Sequence, residues 1–251
     1  MPVSVDISGW LEEVLRHLVE AGIYPSIAEA VRDAVRRFIE KLDLKDLALK
    51  IYINGKSSLN YAAYVARESF ENMITYILEK GYFPELGSDN KKDVDNGIEI
   101  LKDNKDIILD ISSLYTLYST GLIDKLLSSF KIYIPSSLIY DLRRFELRRL
   151  IYGSKPIKSL KIISSKIPSQ YRRKSEILLT TSDLESIACA LNNDLVLVSD
   201  DMRIRRLCKA IGVKSCSSVS ILYLMLSNGD IDKELFEEFK YRFLSIPLIV
   251  P

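Results

Sequence analysis

The chain has 251 residues, 47% of them apolar, and 35 Lys and Arg against 34 Asp and Glu give a net charge of +1. That length suits one large domain or two modest ones with a sizeable core, and the balance excludes a uniformly basic or uniformly acidic chain. A single histidine, His17, excludes a histidine-rich metal centre, and Cys189, Cys208 and Cys216 offer neither zinc-site spacing nor an even disulfide set.

No apolar run reaches membrane-spanning length, and no basic-then-apolar leader opens the chain, so a soluble cytoplasmic protein without membrane contact is expected. Val3, Val5 and Ile7 alternate with Ser4, Asp6 and Ser8, the period of a half-buried strand. Leu11, Val14, Leu15, Leu18 and Val19 then recur at helical spacing, and Gly22 stops that helix. Ser26 followed by Glu29 opens a second helix with Ile27, Ala30, Val31, Ala34, Val35, Phe38 and Ile39 on one face. Residues 1–50 are too few to bury those faces alone, which predicts a dimerising unit.

This order, centred on Ala21-Gly-Ile-Tyr-Pro-Ser-Ile-Ala-Glu-Ala-Val-Arg32, resembles the ribbon-helix-helix proteins over residues 2–42. The resemblance implies a homodimer whose paired strands enter the DNA major groove. The groove-facing set would be Ser4, Asp6 and Ser8, and Asp6 opposes phosphate, which leaves dimerisation without DNA as the other expectation.

Residues 51–104 form a middle segment. A long helical pattern runs through Tyr61, Tyr64, Val65, Phe70, Ile74, Ile77 and Leu78 to Gly81. Ile77-Leu-Glu-Lys-Gly-Tyr-Phe-Pro84 echoes Leu18-Val-Glu-Ala-Gly-Ile-Tyr-Pro25, so this stretch reads either as a degenerate second copy or as a common helix stop. Gly87 to Asn96 is polar and turn-rich and predicts a loop.

Residues 105–251 change texture. Ile107-Ile-Leu109, Lys131-Ile-Tyr-Ile134 and Leu195-Val-Leu-Val198 read as short buried strands separated by helical stretches, which predicts an α/β fold with a parallel sheet. Active groups in such sheets gather at the carboxyl ends of the strands. Asp110 follows the first strand, Asp141 lies shortly after the second, Asp183 opens a helix, and Asp200 and Asp201 follow the third. A lone aspartate there is an ordinary cap or turn residue. Several together repel one another, and Mg²⁺ or Mn²⁺, which select oxygen-only ligands, would relieve that repulsion.

Asp110-Ile-Ser112, Pro135-Ser-Ser-Leu-Ile-Tyr-Asp141, Asp183-Leu-Glu-Ser-Ile-Ala-Cys-Ala190 and Ser199-Asp-Asp201, in this order, resemble the acidic motifs of PIN-domain nucleases. The resemblance implies a Rossmann-like α/β/α sandwich and Mg²⁺- or Mn²⁺-dependent cleavage of RNA. Carried over, Asp110, Asp141, Asp183 and one of Asp200 and Asp201 would be the catalytic metal ligands, with Ser112 and Ser199 in support. Asp141 stands where the family often has a longer glutamate, and Glu185 is a further acid beside the set.

From Arg143 to Lys174 bases dominate and Glu146 is the only acid, whereas acids outnumber bases over residues 67–106. Arg143, Arg144, Arg148, Arg172, Arg173 and Arg203 are the expected RNA contacts, with Tyr140, Tyr152 and Tyr171 placed to stack on bases. The expected function is an endoribonuclease, similar to a fused toxin–antitoxin pair, whose acidic middle docks on the basic nuclease and restrains it. The alternative is a DNA-binding regulator carrying an inactive PIN-like scaffold.

Overall fold

The computed structural model describes residues 4–141, 160–166 and 177–251. The N-terminal region is all helical: α1 (Trp10–Glu20), α2 (Ile27–Glu40), α3 (Leu44–Ile53), α4 (Leu59–Ala66), α5 (Phe70–Glu79) and α6 (Lys91–Lys102). Gly22, at φ 69, ends the first helix and the Ser26 hydroxyl caps the second by accepting from Glu29 N, as the sequence predicts. Residues 4–8 form no strand, contrary to expectation. The alternating pattern is present, but a strand exists only by pairing, and among the described residues of this region no segment pairs with residues 4–8. The ribbon of a ribbon-helix-helix unit therefore has no counterpart among the described residues.

Two further expectations are corrected. The long helix through residues 61–78 is broken: Arg67, in the left-handed region at φ 55, ends α4, and Ser69 caps α5. The expected loop at 87–96 gives way to α6, capped by Asn90, whose polar sequence conceals an apolar edge of Val94, Gly97 and Leu101. A Cβ at Gly97 would overlap Ser220, so the glycine permits close approach to a later helix.

Five parallel strands follow, β1 (Asp106–Leu109), β2 (Lys131–Pro135), β3 (Leu160–Ile163), β4 (Val196–Val198) and β5 (Ser215–Cys216), in the order β3-β2-β1-β4-β5. Between them run α7 (Ile111–Thr120), α8 (Ile123–Ser129), α9 (Leu138–Asp141), α10 (Thr181–Asn192) and α11 (Met202–Ile211), with α12 (Ser218–Asn228) and α13 (Lys233–Ser245) after the sheet. The strand order reverses between β1 and β4, where Leu109 pairs with Val198. That switch point is where such a sheet opens a crevice at its carboxyl edge.

Alternation along β1 divides the core. Ile107 and Leu109 face a large cluster that includes Leu114, Val219, Leu222 and Phe243, while Ile108 faces a smaller one with Ile187, Leu197, Ile204 and Cys208. The large cluster also contains Ala48, Tyr52, Leu59, Ala62, Met73 and Ile77, so α3 to α6 belong to the same core as the sheet. By contrast α1 buries no residue, and α2 buries only Ala30. Cys189, Cys208 and Cys216 are buried free thiols, and burial pushes Cys189 and Cys208 up to about 12. None of the described helices is long and apolar enough to cross a membrane.

Candidate functional site

The end of β1 places Asp110 at the start of α7, where its Oδ1 accepts from Ser113 N at 2.9 Å and from the Ser112 hydroxyl at 2.8 Å. Its Oδ2 is buried without a hydrogen-bond partner among the described residues. The Ser112 hydroxyl in turn accepts from the backbone amides of Asp200 (2.8 Å) and Asp201 (3.2 Å), which ties the ends of β1 and β4 together. The Ser199 hydroxyl lies 3.4 Å from that of Ser112.

Asp183 sits inside the capping box of α10: its amide donates to Thr180 Oγ1 and its Oδ2 accepts from Thr180 N. Asp201 caps α11, its Oδ1 accepting from Arg203 N at 2.9 Å. Asp200 points elsewhere, toward the start of α12, where the amide and hydroxyl of Ser218 hold its two oxygens. Of the two adjacent aspartates, Asp201 is thus the one that shares space with Asp183.

Asp110, Asp183 and Asp201 are each 1% exposed and Asp200 is 0% exposed. Burial raises Asp110 to about 7; the Ser113 amide and neighbouring hydroxyls oppose this, and the charge of Asp183 adds to it. Burial likewise raises Asp183 to about 6, with donors from Ser58, Asn60 and Thr180 opposing and Asp201 adding, and it raises Asp201 too. Three buried carboxylates from three elements are thus coupled in series, Asp183 acting on Asp110 and Asp201 on Asp183.

The remaining acids are peripheral. Asp141 is exposed at the end of α9 and accepts from the Ser182 hydroxyl, which links it to the cluster through one side chain. Glu185 is enclosed by serines, accepting from Ser137 N at 2.7 Å, Ser164 Oγ at 2.6 Å and Ser136 Oγ at 3.0 Å. Burial works to raise it, but those donors prevail and hold it below the usual range. Glu185 thereby fastens the ends of β2 and β3. Among the described residues, no three acids, histidines or cysteines are placed to share one cation.

Sequence reasoning missed the residues that complete this site, which come from the start of α4. Ser58 Oγ donates to Asp183 Oδ2 at 2.7 Å, Asn60 Nδ2 donates to Asp183 Oδ1 at 3.0 Å, and Leu59 N donates to Asp201 Oδ2 at 2.8 Å. Asn60 Nδ2 also reaches Thr180 Oγ1 and Ser182 Oγ. Locally, Ser58 reads only as a helix cap, accepting from Tyr61 N.

Arg203, expected to contact RNA, is 8% exposed and committed elsewhere. Its guanidinium donates to Tyr52 O, to Ser57 O at 2.9 Å and to Glu85 at 2.7 Å, and lies 4.0 Å from the Tyr52 ring centre. It fastens α3 and the α4 approach to α11. The acidic middle meets bases of the part that follows chiefly on α11, where Glu85 pairs with Arg203 and Arg206 and Asp93 with Arg205, and Asp106 pairs with Lys131 of β2. Arg143, Arg144, Arg148, Arg172 and Arg173, with Tyr152 and Tyr171, lie outside the described residues, and Tyr140 is 77% exposed beside them in sequence.

Residues 106–241 match a family model described as a PIN domain. A search of curated proteins returned no match.

Proposed function

The chain belongs to the PIN-domain family, and from that premise we propose that it is a metal-dependent endoribonuclease, hydrolysing RNA phosphodiester bonds at its aspartate cluster. The observation that carries this reading is the burial of Asp110, Asp183 and Asp201 within electrostatic reach of one another. Unpaired carboxylates gathered out of water cost stability, and function is the usual reason for bearing that cost.

The donor chemistry fits a hard divalent cation. The set contains only oxygens, and Asp110 Oδ2 has no hydrogen-bond partner among the described residues. As placed here these acids do not share one coordination sphere; on this reading Asp110, Asp183 and Asp201 would have to draw together to hold the Mg²⁺ or Mn²⁺, which when bound supplies Lewis acidity toward the phosphate and a more acidic water. Ser112 fixes the separation of the β1 and β4 ends, and Ser199 stands beside it. Asp200 orients α12, and Asp141 is the acid at the rim. The basic residues between Arg143 and Lys174 would hold the RNA backbone, with Tyr140 exposed for stacking.

The exposed apolar side chains Trp10, Leu11, Val35 and Phe38 support pairing of two copies through α1 and α2. A DNA-binding role for residues 1–42 has less support, since residues 4–8 form no strand and Asp6 carries the wrong charge. The competing reading, a silent PIN scaffold, draws on one observation: the aspartates are 0–1% exposed and out of reach of a polymer.

The deciding experiment is cleavage of a mixed RNA pool by the full chain with Mn²⁺ or Mg²⁺, beside EDTA and Asp110→Asn controls. Cleavage lost in both controls supports the nuclease. Equal cleavage by Asp110→Asn refutes the assignment of the site.

A further inference from the structure

A cavity of about 730 Å³ opens beside the aspartates, bounded by α4, the start of α5, α7 and the end of α9. That volume suits a small organic ligand or one unit of a polymer. Its walls are aromatic: Tyr64, 68% exposed, and the Phe70 and Tyr115 rings, whose centres lie 5.6 Å apart. Three polar groups line the same space. Asn60 is 6% exposed, and its Nδ2 donates to Thr180 Oγ1, Ser182 Oγ and Asp183 Oδ1. A carboxylate only accepts, which fixes the amide orientation and turns Oδ1 away from Asp183. No described residue donates to that oxygen. Asp141 is exposed, and the Ser182 hydroxyl that donates to its Oδ2 also accepts from Asn60, so one side chain holds both acceptors in place. Arg67, exposed in its left-handed conformation at φ 55, has no ion-pair partner among the described residues.

We propose that this cavity is a nucleobase pocket that takes one unpaired guanine of a single-stranded RNA. The choice of ligand follows from the lining. A flat ring system stacks on aromatic walls, whichever base carries it. Asn60 Oδ1 and the Asp141 carboxylate are both acceptors, so the edge of that ring must donate. Guanine alone of the four RNA bases presents two adjacent donors on its Watson–Crick edge, N1–H and the N2 amino group. Adenine and cytosine set a ring acceptor beside their amino group, against the carboxylate, and uracil has one donor flanked by two carbonyls. Arg67 supplies the cation for a phosphate of the bound nucleotide. Base pairing hides the Watson–Crick edge, which restricts the pocket to unpaired RNA. The proposal rests on the nuclease reading for its polymer and names the base held next to the acids; no cation takes part in it.

The test uses the full chain in EDTA and a set of fluorescein-labelled RNA oligomers, all uridine except for a central G, A, C or U. Fluorescence anisotropy should show the G oligomer bound about tenfold tighter than the others, within the range of a bidentate base contact. Asp141→Ala should level the set. Tyr64→Ala should weaken the G oligomer by about fivefold or more, and the variant keeps its fold because the ring is already largely in water. Oligomers bound alike by wild type, or not bound at all, overturn the pocket, and so does a G preference that survives both substitutions. The two readings separate cleanly. A G preference without Mn²⁺-dependent cleavage of any RNA sinks the nuclease and leaves the pocket, whereas such cleavage with the oligomers bound alike sinks the pocket and leaves the nuclease.

Discussion

Two helical regions precede the part of the chain that matches the family, and they stand in opposite relations to it. The α1–α2 hairpin buries Ala30 and leaves Trp10 and Phe38 73% and 62% exposed. Helices α3 and α4 bury Ala48, Leu49, Tyr52, Leu59, Ala62, Ala63 and Ala66 in the core shared with β1 and α7. A boundary drawn where the family match begins therefore cuts through a hydrophobic core, whereas one drawn after α2 does not. Sequence family and folding unit are different divisions of this chain.

The severest way to break that comparison is deletion. Removing residues 1–104 strips Tyr52, Leu59, Met73 and Ile77 from the core, and each large side chain lost is worth roughly 2–5 kcal/mol. The expected product is insoluble or lacks a cooperative melt, while a chain starting at residue 43 melts within a few degrees of wild type by circular dichroism. Equal stability of the two products would erase the distinction.

Next in size is Arg203→Ala. It leaves Ser57 O without its donor, Tyr52 O with only the Gly55 amide and Glu85 with only Arg206, and should cost about 2–3 kcal/mol in urea unfolding, discounted because Glu85 is partly exposed. RNA affinity should not change beyond this loss of fold.

A smaller effect of opposite sign is expected at Asp110. Its folded-state pKa of about 7 lies above the ordinary 3.8, so its stability contribution is fully present below the unfolded value and is lost as pH rises through 7. In EDTA, Asp110→Asn should therefore be more stable than wild type at about pH 8, by roughly 1–3 kcal/mol, and the advantage should vanish near pH 4. Loss of stability at pH 8 would mean that the carboxylate is satisfied in the metal-free protein. Smallest is Phe38→Ser, expected to move monomer stability by less than about 0.5 kcal/mol, since the ring is already in water. Sedimentation at high and low concentration would show whether it weakens self-association.

Much of the α/β part is legible locally. Ile107-Ile-Leu109 and Val196-Leu-Val198 are apolar on both faces because both faces are covered, and the aspartates after them follow from the parallel topology. β3 escaped notice because Lys161 interrupts it at the sheet edge, and β5 because two residues carry no period. The alternation at residues 3–8 is a strand pattern without a neighbour, and α6 is a polar sequence whose helical face shows only against α12. Least legible was the site's cover: Asn60 and Asp183 meet across 123 positions, and nothing near Ser58 signals that its cap points at a distant carboxylate.

One of the three links from α4 to the acids is made by main chain. Any residue except proline at position 59 presents the same N–H to Asp201, so this link cannot be inherited or lost as a side-chain identity. Comparison of related sequences would register only the buried leucine side chain and would pass over the amide. Because position 59 is the first of its helix, where proline is well accommodated, Leu59→Pro removes the link without forbidding α4, at the added cost of the buried leucine side chain.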